Sequence, residues 1–404
     1  MSDLDALIYD WNRDGRAARA DYRAVELDDE TLRDGLQGPS VRNPPLDVKI
    51  RLLQLMDELG IASADIGLPG ASPQARATIV ALAKETVKLR ITPNVAVRTH
   101  PADIHGAIQA AVDSGVAIET CAFIGSSPIR RFAESWSIDT MTKQVEESVA
   151  LAVKNGLPVM FVTEDTTRAD PETLVTLYET AIAAGAKRIC ASDTVGHATP
   201  EGVRNLLTFL RTDIIKGRDV KLDYHGHNDR GLGTINALAA TAIADRVHGT
   251  ALGIGERVGN ASMDQLLVNL RLWDLIDTNL EPLVEYTALV AEHCGVVIPA
   301  NYPALGADAF RTGTGVHAAA VVKALRKGDR ELADRVYSSV PASVVGREQR
   351  IEVGPMSGES NVVFWLEHRG IDATRDRIDR IMTAAKASDR LLTEEELDAL
   401  ARLD

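Results

Sequence analysis

The sequence contains few cysteines. Cys121, Cys190 and Cys294 are the only three in 404 residues. Their wide separation gives neither a CxxC spacing nor a pattern typical of a disulfide framework. Cys121 and Cys190 lie in apolar, strand-like segments, so we expect them to be buried free thiols.

The sequence also lacks any segment suited to a membrane or to secretion. No apolar run approaches the roughly 18 residues that a membrane-spanning helix needs. The N-terminal segment, residues 1–22, is polar and acidic, without the apolar core of a signal peptide. We therefore predict a cytoplasmic protein without a membrane partner.

Positive charge is in deficit. Lysine and arginine number 44 against 58 aspartates and glutamates, which gives a net charge of −14. Such a chain is a poor general binder of nucleic acids or anionic membranes. With 45% hydrophobic residues, the remaining composition is typical of a globular protein with a buried core.

Short β-like segments alternate with amphipathic, helix-length segments over the first two thirds of the chain. Eight such units predict a (β/α)8 TIM barrel, and a doubly wound open sheet is the alternative architecture. Asp170-Pro171 and Thr199-Pro200 are typical helix starts. The candidate strands begin near Ala24, Ser63, Thr92, Ala117, Pro158, Arg188, Val220 and Arg246.

The strand rhythm stops near residue 280. We predict an N-terminal extension over residues 1–22, a barrel over 23–283 and a smaller α-rich C-terminal domain over 284–404. Within the latter, residues 283–296 and 316–326 are predicted helices, separated by a loop over 299–315.

Residues 224–229, YHGHND, follow one of the predicted strands. Side chains alternate along a strand, so His225 and His227 point to the same side. Two imidazoles at a strand end suit a divalent metal ion. Taken alone, such a pair is more often two hydrogen-bonded polar residues at a strand terminus.

Polar segments also follow other predicted strands. They are residues 29–37 (DETLRDGLQ), 164–168 (EDTTR), 192–196 (SDTVG) and 253–260 (GIGERVGN). Asp34 is a candidate oxygen ligand, and Arg33 is a fixed cation able to bind a carboxylate. Each segment alone fits a turn, a helix cap or an ion pair. In a barrel, however, all of them would converge on the carboxyl ends of the strands, where TIM-barrel active sites lie.

In combination, the motifs DxTLRDGxQ, HxHND and GxGERxGN resemble the signature of the DRE-TIM metallolyase superfamily. Within it, the chain resembles the Claisen-condensing branch of isopropylmalate, homocitrate and citramalate synthases. Residues 314–318 (TGVHA) and 354–361 (GPMSGESN) resemble segments that follow the barrel in that branch.

The resemblance implies a divalent metal ion, Mg, Mn or Zn, with acetyl-CoA as co-substrate, and a homodimer acting on small molecules. The implied metal ligands are Asp34, His225 and His227, with Asn260 as a weaker or water-mediated fourth. The implied catalytic residues are Arg33, which holds a 2-oxo acid, the pair Glu164 and His317, and Tyr337 as a helper. In the family, the last His and Tyr reach the barrel of the partner subunit. The implied substrate-binding and supporting residues are Thr194, Gln37, Ser127 and Glu256.

Some segments depart from the family pattern. Where the family shows Glu-x-Gly-Phe-Pro after strand two, this chain has Asp65 and Leu68 in a DIGLP segment, and residues 121–127 (CAFIGSS) copy no single specificity class. We also expect no leucine-binding regulatory domain, because the chain ends too soon for one. These departures leave the identity of the 2-oxo acid open.

The resemblance implies an acyltransferase that joins acetyl-CoA, or a close acyl-CoA, to a 2-oxo acid. A carbon–carbon lyase or aldolase of the same superfamily is the nearest alternative. The hydroxymethylglutaryl-CoA lyase type carries a cysteine in the loop after strand eight, and residues 253–260 contain none. A non-catalytic metal-binding relative is the third possibility. The joint presence of five residues argues against it, namely Arg33, Asp34, Glu164, His225 and His227.

Overall fold

The computed structural model describes residues 4, 7–10, 12 and 22–402. Most of the predicted N-terminal extension therefore lies outside the described residues. The described residues form two compact units. The barrel unit consists of residues 22–278 and 285–297, and the C-terminal unit includes residues 279–284 and 298–402. The single boundary predicted between residues 283 and 284 stays a prediction.

Eight parallel strands close into a barrel in the order in which they occur along the chain. This closure confirms the predicted TIM barrel and excludes the open sheet. The strands are β1 Glu26–Asp29, β2 Ser63–Asp65, β3 Thr92–Arg98, β4 Glu119–Gly125, β5 Val159–Glu164, β6 Arg188–Asp193, β7 Lys221–Gly226 and β8 Arg246–Gly249.

Helices connect these strands and follow the last of them. They are α1 Leu46–Glu58, α2 Pro73–Thr86, α3 Pro101–Ser114, α4 Pro128–Glu134, α5 Ile138–Lys154, α6 Pro171–Ala183, α7 Pro200–Phe209, α8 Gly233–Ala240, α9 Met263–Leu272 and α10 Pro282–Cys294. The predicted starts of α6 and α7 are confirmed. Asp170 accepts a hydrogen bond from the Thr173 amide at 2.8 Å, and Thr199 from the Gly202 amide at 3.2 Å.

A network of buried charges fills the barrel interior near the amino ends of the strands. Arg246, on β8, is 3% exposed. Its guanidinium donates to Asp223 at 2.6 Å, to Glu119 at 2.7 Å and to Ser63 at 2.8 Å. Because these partners stand on three other strands, the network ties β2, β4, β7 and β8 together below the reactive end of the barrel.

The C-terminal unit contains five further helices, α11 Gly315–Arg326, α12 Arg330–Arg335, α13 Glu359–His368, α14 Arg375–Ala387 and α15 Glu394–Arg402. Its largest apolar cluster centres on Val362, Trp365 and Ile381. Two short parallel strands, β9 Arg311–Thr312 and β10 Arg350–Ile351, pair within it. Two-residue strands leave no periodic pattern, so this pair escaped prediction.

The three cysteines are buried and free, as predicted for Cys121 and Cys190. No helix among the described residues combines the length and the apolar character required to cross a lipid bilayer.

Candidate active site

A cavity of about 360 Å³ opens at the carboxyl ends of the barrel strands. It lies within the barrel unit, at the end where active sites of this fold are found. The structure brings to its wall these residues singled out from the sequence: Arg33, Asp34, Gln37, Glu164, Thr194, His225, His227 and Glu256.

Asp34, His225 and His227 form a compact group of potential metal ligands. The Asp34 Oδ2 atom lies 3.8 Å from the His225 Nε2 atom and 3.5 Å from the His227 Nε2 atom. Desolvation lowers the pKa of His225 to about 3 and also lowers the pKa of His227. Both imidazoles are therefore neutral near pH 7, which leaves their lone pairs free for a metal ion.

The protonation of Asp34 suits the same role. Burial alone would raise its pKa, but the charge of Arg33 and the hydrogen bond from His227 outweigh that effect and hold the pKa well below its usual range. Asp34 is thus an anionic oxygen donor beside two neutral nitrogen donors. This donor set is typical of sites for divalent metal ions that keep open coordination positions.

Asn260 adds a fourth donor next to Asp34. Its amide nitrogen donates to the Asp34 Oδ1 atom at 3.1 Å and to the Ile254 carbonyl oxygen at 3.2 Å. Its own Oδ1 atom is buried and has no hydrogen-bond partner. A buried oxygen without a partner is costly unless a ligand satisfies it, so this atom fits a metal ion or a metal-bound water.

Gly255 allows Asn260 and Asp34 to approach each other. Its φ is +153°, and a Cβ atom built on it would lie 2.2 Å from the Asn260 Nδ2 atom and 2.8 Å from the Asp34 Oδ1 atom. Glycine readily adopts this backbone conformation, and it has no Cβ atom that would clash with Asn260 and Asp34. Gly255 of the GIGERVGN segment therefore permits the close approach of these two candidate ligands.

Arg33 lies beside the metal ligands and is surrounded by carboxylates. Its Nε atom donates to Asp65 at 2.8 Å, one terminal nitrogen donates to Asp34 at 3.2 Å, and the other is in close contact with Glu30. Burial would lower the Arg33 pKa, but Asp65 and Asp34 more than compensate and raise it. The guanidinium is therefore a permanent cation held at the edge of the metal site. The Asp65 pKa is raised to about 6 by desolvation in spite of this contact.

Glu30 belongs to the DETLRDGLQ segment, but no role was predicted for it from the sequence. Its Oε1 atom lies 3.0 Å from the His225 Nδ1 atom and 2.7 Å from the His248 Nδ1 atom. A carboxylate that accepts from one ring nitrogen turns the other nitrogen of the ring toward the metal. His248 continues the network, since its Nε2 atom lies 3.0 Å from Asp223. Strand alternation could have predicted that Glu30 faces the cavity, because it follows β1 directly and lies two residues after Asp28, which also lines the cavity.

Glu164 is the last residue of β5 and Thr194 directly follows β6, on the part of the rim opposite β1. Desolvation raises the pKa of Glu164, although Arg130 and Arg33 act against this effect. The Thr194 hydroxyl accepts a hydrogen bond from the Asp165 amide at 2.8 Å, and its proton stays available for an acceptor in the pocket. This geometry is compatible with the roles that the resemblance implies.

Ser127 does not line the cavity. Its side chain is fully buried, is in close contact with Asp165 and accepts from the Arg130 amide at 3.3 Å. It therefore caps α4, and its substrate-binding role stays a prediction that rests on the resemblance.

His317 and Tyr337 belong to the C-terminal unit. Their rings stack there, with centroids 4.3 Å apart and an interplanar angle of 28°. Both side chains are exposed. The roles of His317 and Tyr337 stay predictions that rest on the resemblance.

Comparisons with known proteins agree with this geometry. Residues 24–290 match the model of the HMGL-like family. A probable 2-isopropylmalate synthase of Methanopyrus kandleri is 34% identical over 90% of this chain and 69% of its own length. The homocitrate synthase AksA of the same organism is 31% identical over 95% of both chains.

Solved structures give the fold independently. The Bacillus subtilis HMG-CoA lyase superposes with a TM-score of 0.58 over 69% of this chain and 97% of its own, at 20% identity. Likeness at that identity supports the barrel architecture and carries no argument for lyase activity.

The fold and the site thus define a TIM-barrel enzyme with a group of potential metal ligands and an arginine at the carboxyl ends of its strands. The chain belongs to the HMGL-like family and, within it, to the Claisen-condensing branch of isopropylmalate, homocitrate and citramalate synthases.

Proposed function

We propose that the barrel pocket condenses acetyl-CoA, or a close acyl-CoA, with a 2-oxo acid. The products are CoA and a 2-hydroxy acid with two or three carboxylates. The observation that carries the proposal is the adjacency of Asp34, His225 and His227 to Arg33 within one cavity. The names of the relatives support the same reaction class.

Asp34, His225, His227 and Asn260 would hold a divalent metal ion, either Mg, Mn or Zn. When bound, the ion supplies a Lewis acid that polarises the ketone of a 2-oxo acid. This assignment is supported by the buried Asn260 oxygen without a partner and by the neutral imidazoles.

Arg33 and Thr194 would bind the 2-oxo acid. The Thr194 hydroxyl would donate to its carboxylate. The fixed charge of Arg33 would stabilise the negative charge that develops on the ketone oxygen as the new carbon–carbon bond forms. Because Arg33 is already held by Asp34 and Asp65, it needs little reorganisation when that charge appears.

The reaction needs a base, because a proton must leave the methyl group of the acyl-CoA before that carbon attacks the ketone carbon. We assign this role to His317, assisted by Glu164 and, less directly, by Tyr337. Water then cleaves the thioester and releases the CoA thiol, which drives the condensation forward. The assignment of His317 rests on the resemblance of residues 314–318 to the family segment. It also requires a homodimer like that of the family, in which this histidine reaches the barrel of the partner subunit. A cytoplasmic location belongs to the same proposal.

A thiol-release assay tests the proposed function. The protein is incubated with acetyl-CoA and, separately, with pyruvate, 2-oxobutanoate, 2-oxoisovalerate, 2-oxoglutarate or oxaloacetate, and the acid product is identified by mass spectrometry. We expect CoA release that depends on one of these acids. Release with none of them would contradict the proposal, and cleavage of a 3-hydroxyacyl-CoA in its place would favour a lyase.

His225→Ala tests the site within the same assay. We expect this variant to lose both the bound metal and CoA release, because it removes one of three close ligands. His105→Ala is the matched control, since His105 is exposed on α3 and lies away from the cavity. A His225→Ala protein that keeps its metal and its activity would contradict the ligand assignment.

A further inference from the structure

One wall of the cavity is apolar, in contrast to the side that carries the metal ligands. It is formed by side chains from β3, β4 and β5 together with the segment after β2. These side chains are Leu68, Ala96, Phe123 and Val162. These four side chains offer dispersion contacts and no hydrogen bonds, and they offer no cation.

The deeper part of the same wall is also uncharged. Cys121, Met160 and Cys190 form a buried cluster with Val162 packed against it. Desolvation raises the pKa of both thiols well above the usual range, so they remain neutral. Inward of Phe123 the cavity is therefore lined by this uncharged sulfur cluster together with Asn94, whose amide is already held by the Asp28 carboxylate at 2.6 Å and by the Cys121 thiol at 3.4 Å.

The charged lining is mainly acidic. Among the described residues that line the cavity, Arg33 and Arg257 are the only arginines, and no lysine is present. Arg33 is bound to Asp34, Asp65 and Glu30. Arg257 donates to Asp229 at 2.9 Å and to the Thr194 carbonyl oxygen at 2.6 Å. The carboxylates at the cavity belong to Asp28, Glu30, Asp34, Asp65, Glu164 and Glu256.

These observations restrict the chemical character of the substrate side chain that faces the apolar wall. Given the proposed function, we infer that the protein uses a 2-oxo acid with an aliphatic side chain and discriminates against one with a second carboxylate. The carboxylate beside the ketone would occupy Arg33, Thr194 and the metal site. A second carboxylate against Phe123 and Val162 would lose its hydration without gaining a cation, and it would be repelled by the acidic lining.

The inference distinguishes between two reaction products that give the relatives their names, isopropylmalate and homocitrate. Isopropylmalate carries an apolar branch, whereas homocitrate carries an additional carboxylate. Sequence identities of 34% and 31% to proteins with these names do not choose between the two. The composition of the cavity wall favours the apolar branch.

Steady-state kinetics test the inference. The specificity constant kcat/KM is measured from CoA release with 2-oxobutanoate, 2-oxoisovalerate, 2-oxoglutarate and oxaloacetate at saturating acetyl-CoA. We expect the better aliphatic acid to exceed both dicarboxylic acids by at least about 100-fold. A kcat/KM for 2-oxoglutarate or oxaloacetate equal to or above that of the aliphatic acids would overturn the inference while leaving the proposed function intact. Absence of release with these four acids and also with pyruvate would overturn both.

Phe123→Ala tests whether the wall sets the preference. Removing the ring enlarges the apolar side of the cavity, so the ratio of kcat/KM for 2-oxo acids with longer aliphatic chains to that for 2-oxobutanoate should rise by roughly tenfold. Phe132→Ala is the matched control, because Phe132 is 88% exposed and lies outside the cavity. If this ratio is the same in Phe123→Ala as in Phe132→Ala and the native protein, Phe123 does not form the specificity wall.

Discussion

Replacing Glu30 by glutamine should weaken metal binding without removing any ligand. The Glu30 carboxylate faces three groups that donate hydrogen bonds, namely the Nδ1 atoms of His225 and His248 and the Arg33 guanidinium. Glutamine has nearly the same shape but only one acceptor oxygen, and its amide nitrogen would face a donor. Either His225 or Arg33 must therefore lose its acceptor.

The expected decrease in metal affinity follows from the loss of this hydrogen-bond acceptor. A group that orients a ligand histidine typically changes metal affinity by 10- to 100-fold, or about 1.4–2.7 kcal/mol at about 1.4 kcal/mol per factor of ten. We expect a change toward the upper end, because both the ring orientation and the neighbouring Arg33 are affected.

The assay is a titration of the metal-free protein with Mn²⁺, in which free ion is followed by electron paramagnetic resonance. Glu26→Gln is the matched control, since Glu26 lies on the same strand, pairs with Arg188 and does not line the cavity. An Mn²⁺ dissociation constant that is unchanged in Glu30→Gln would refute the orienting role.

Three further variants probe the barrel. Gly255→Ala should lower metal affinity and lower the unfolding midpoint, because the strained backbone costs about 1–3 kcal/mol of stability. Gly231→Ala is the control. Gly231 also has a positive φ but has open space around it, so this variant should keep its metal affinity. Arg246→Met removes one buried cation from Asp223 and Glu119, which keep Arg188 as a partner, and should destabilise the protein by about 3 kcal/mol, the lower end for breaking a buried ion pair; an unaltered midpoint in urea would contradict that. Arg98 lowers the pKa of Asp103 below 3.8 through its hydrogen bonds. This contribution is present above pH 3.8 and is lost as the pH falls through the lowered value. Asp103→Asn should thus cost about 0.5–1 kcal/mol at pH 7 and progressively less below pH 4; a difference that does not shrink with acidification would show that another effect dominates.

The barrel was predictable because its signals are local. Strand starts, helix caps such as Asp170, and the polar segments after the strands all depend on neighbouring residues in the chain, and they match the observed elements closely. The convergence of Asp34, His225 and His227 followed from the topology alone, since the carboxyl ends of parallel barrel strands share one rim.

Other features depend on contacts between distant residues. The network from Glu30 through His248 to Asp223 joins β1, β7 and β8, and nothing in any one segment indicates it. Ser127 illustrates the opposite case, because a serine after a strand suits both a ligand contact and a helix cap. The structure shows the helix cap of α4, and the ligand contact stays a prediction.

The most direct test of the central claim is the dependence of CoA release on a divalent metal ion. Release from acetyl-CoA with 2-oxoisovalerate or 2-oxobutanoate is measured before chelation, after exhaustive removal of metal and after return of Mg²⁺, Mn²⁺ or Zn²⁺. If the pocket around Asp34, His225 and His227 carries out the condensation, release stops on chelation and returns with at least one of the ions. Full release from metal-free protein would contradict the account.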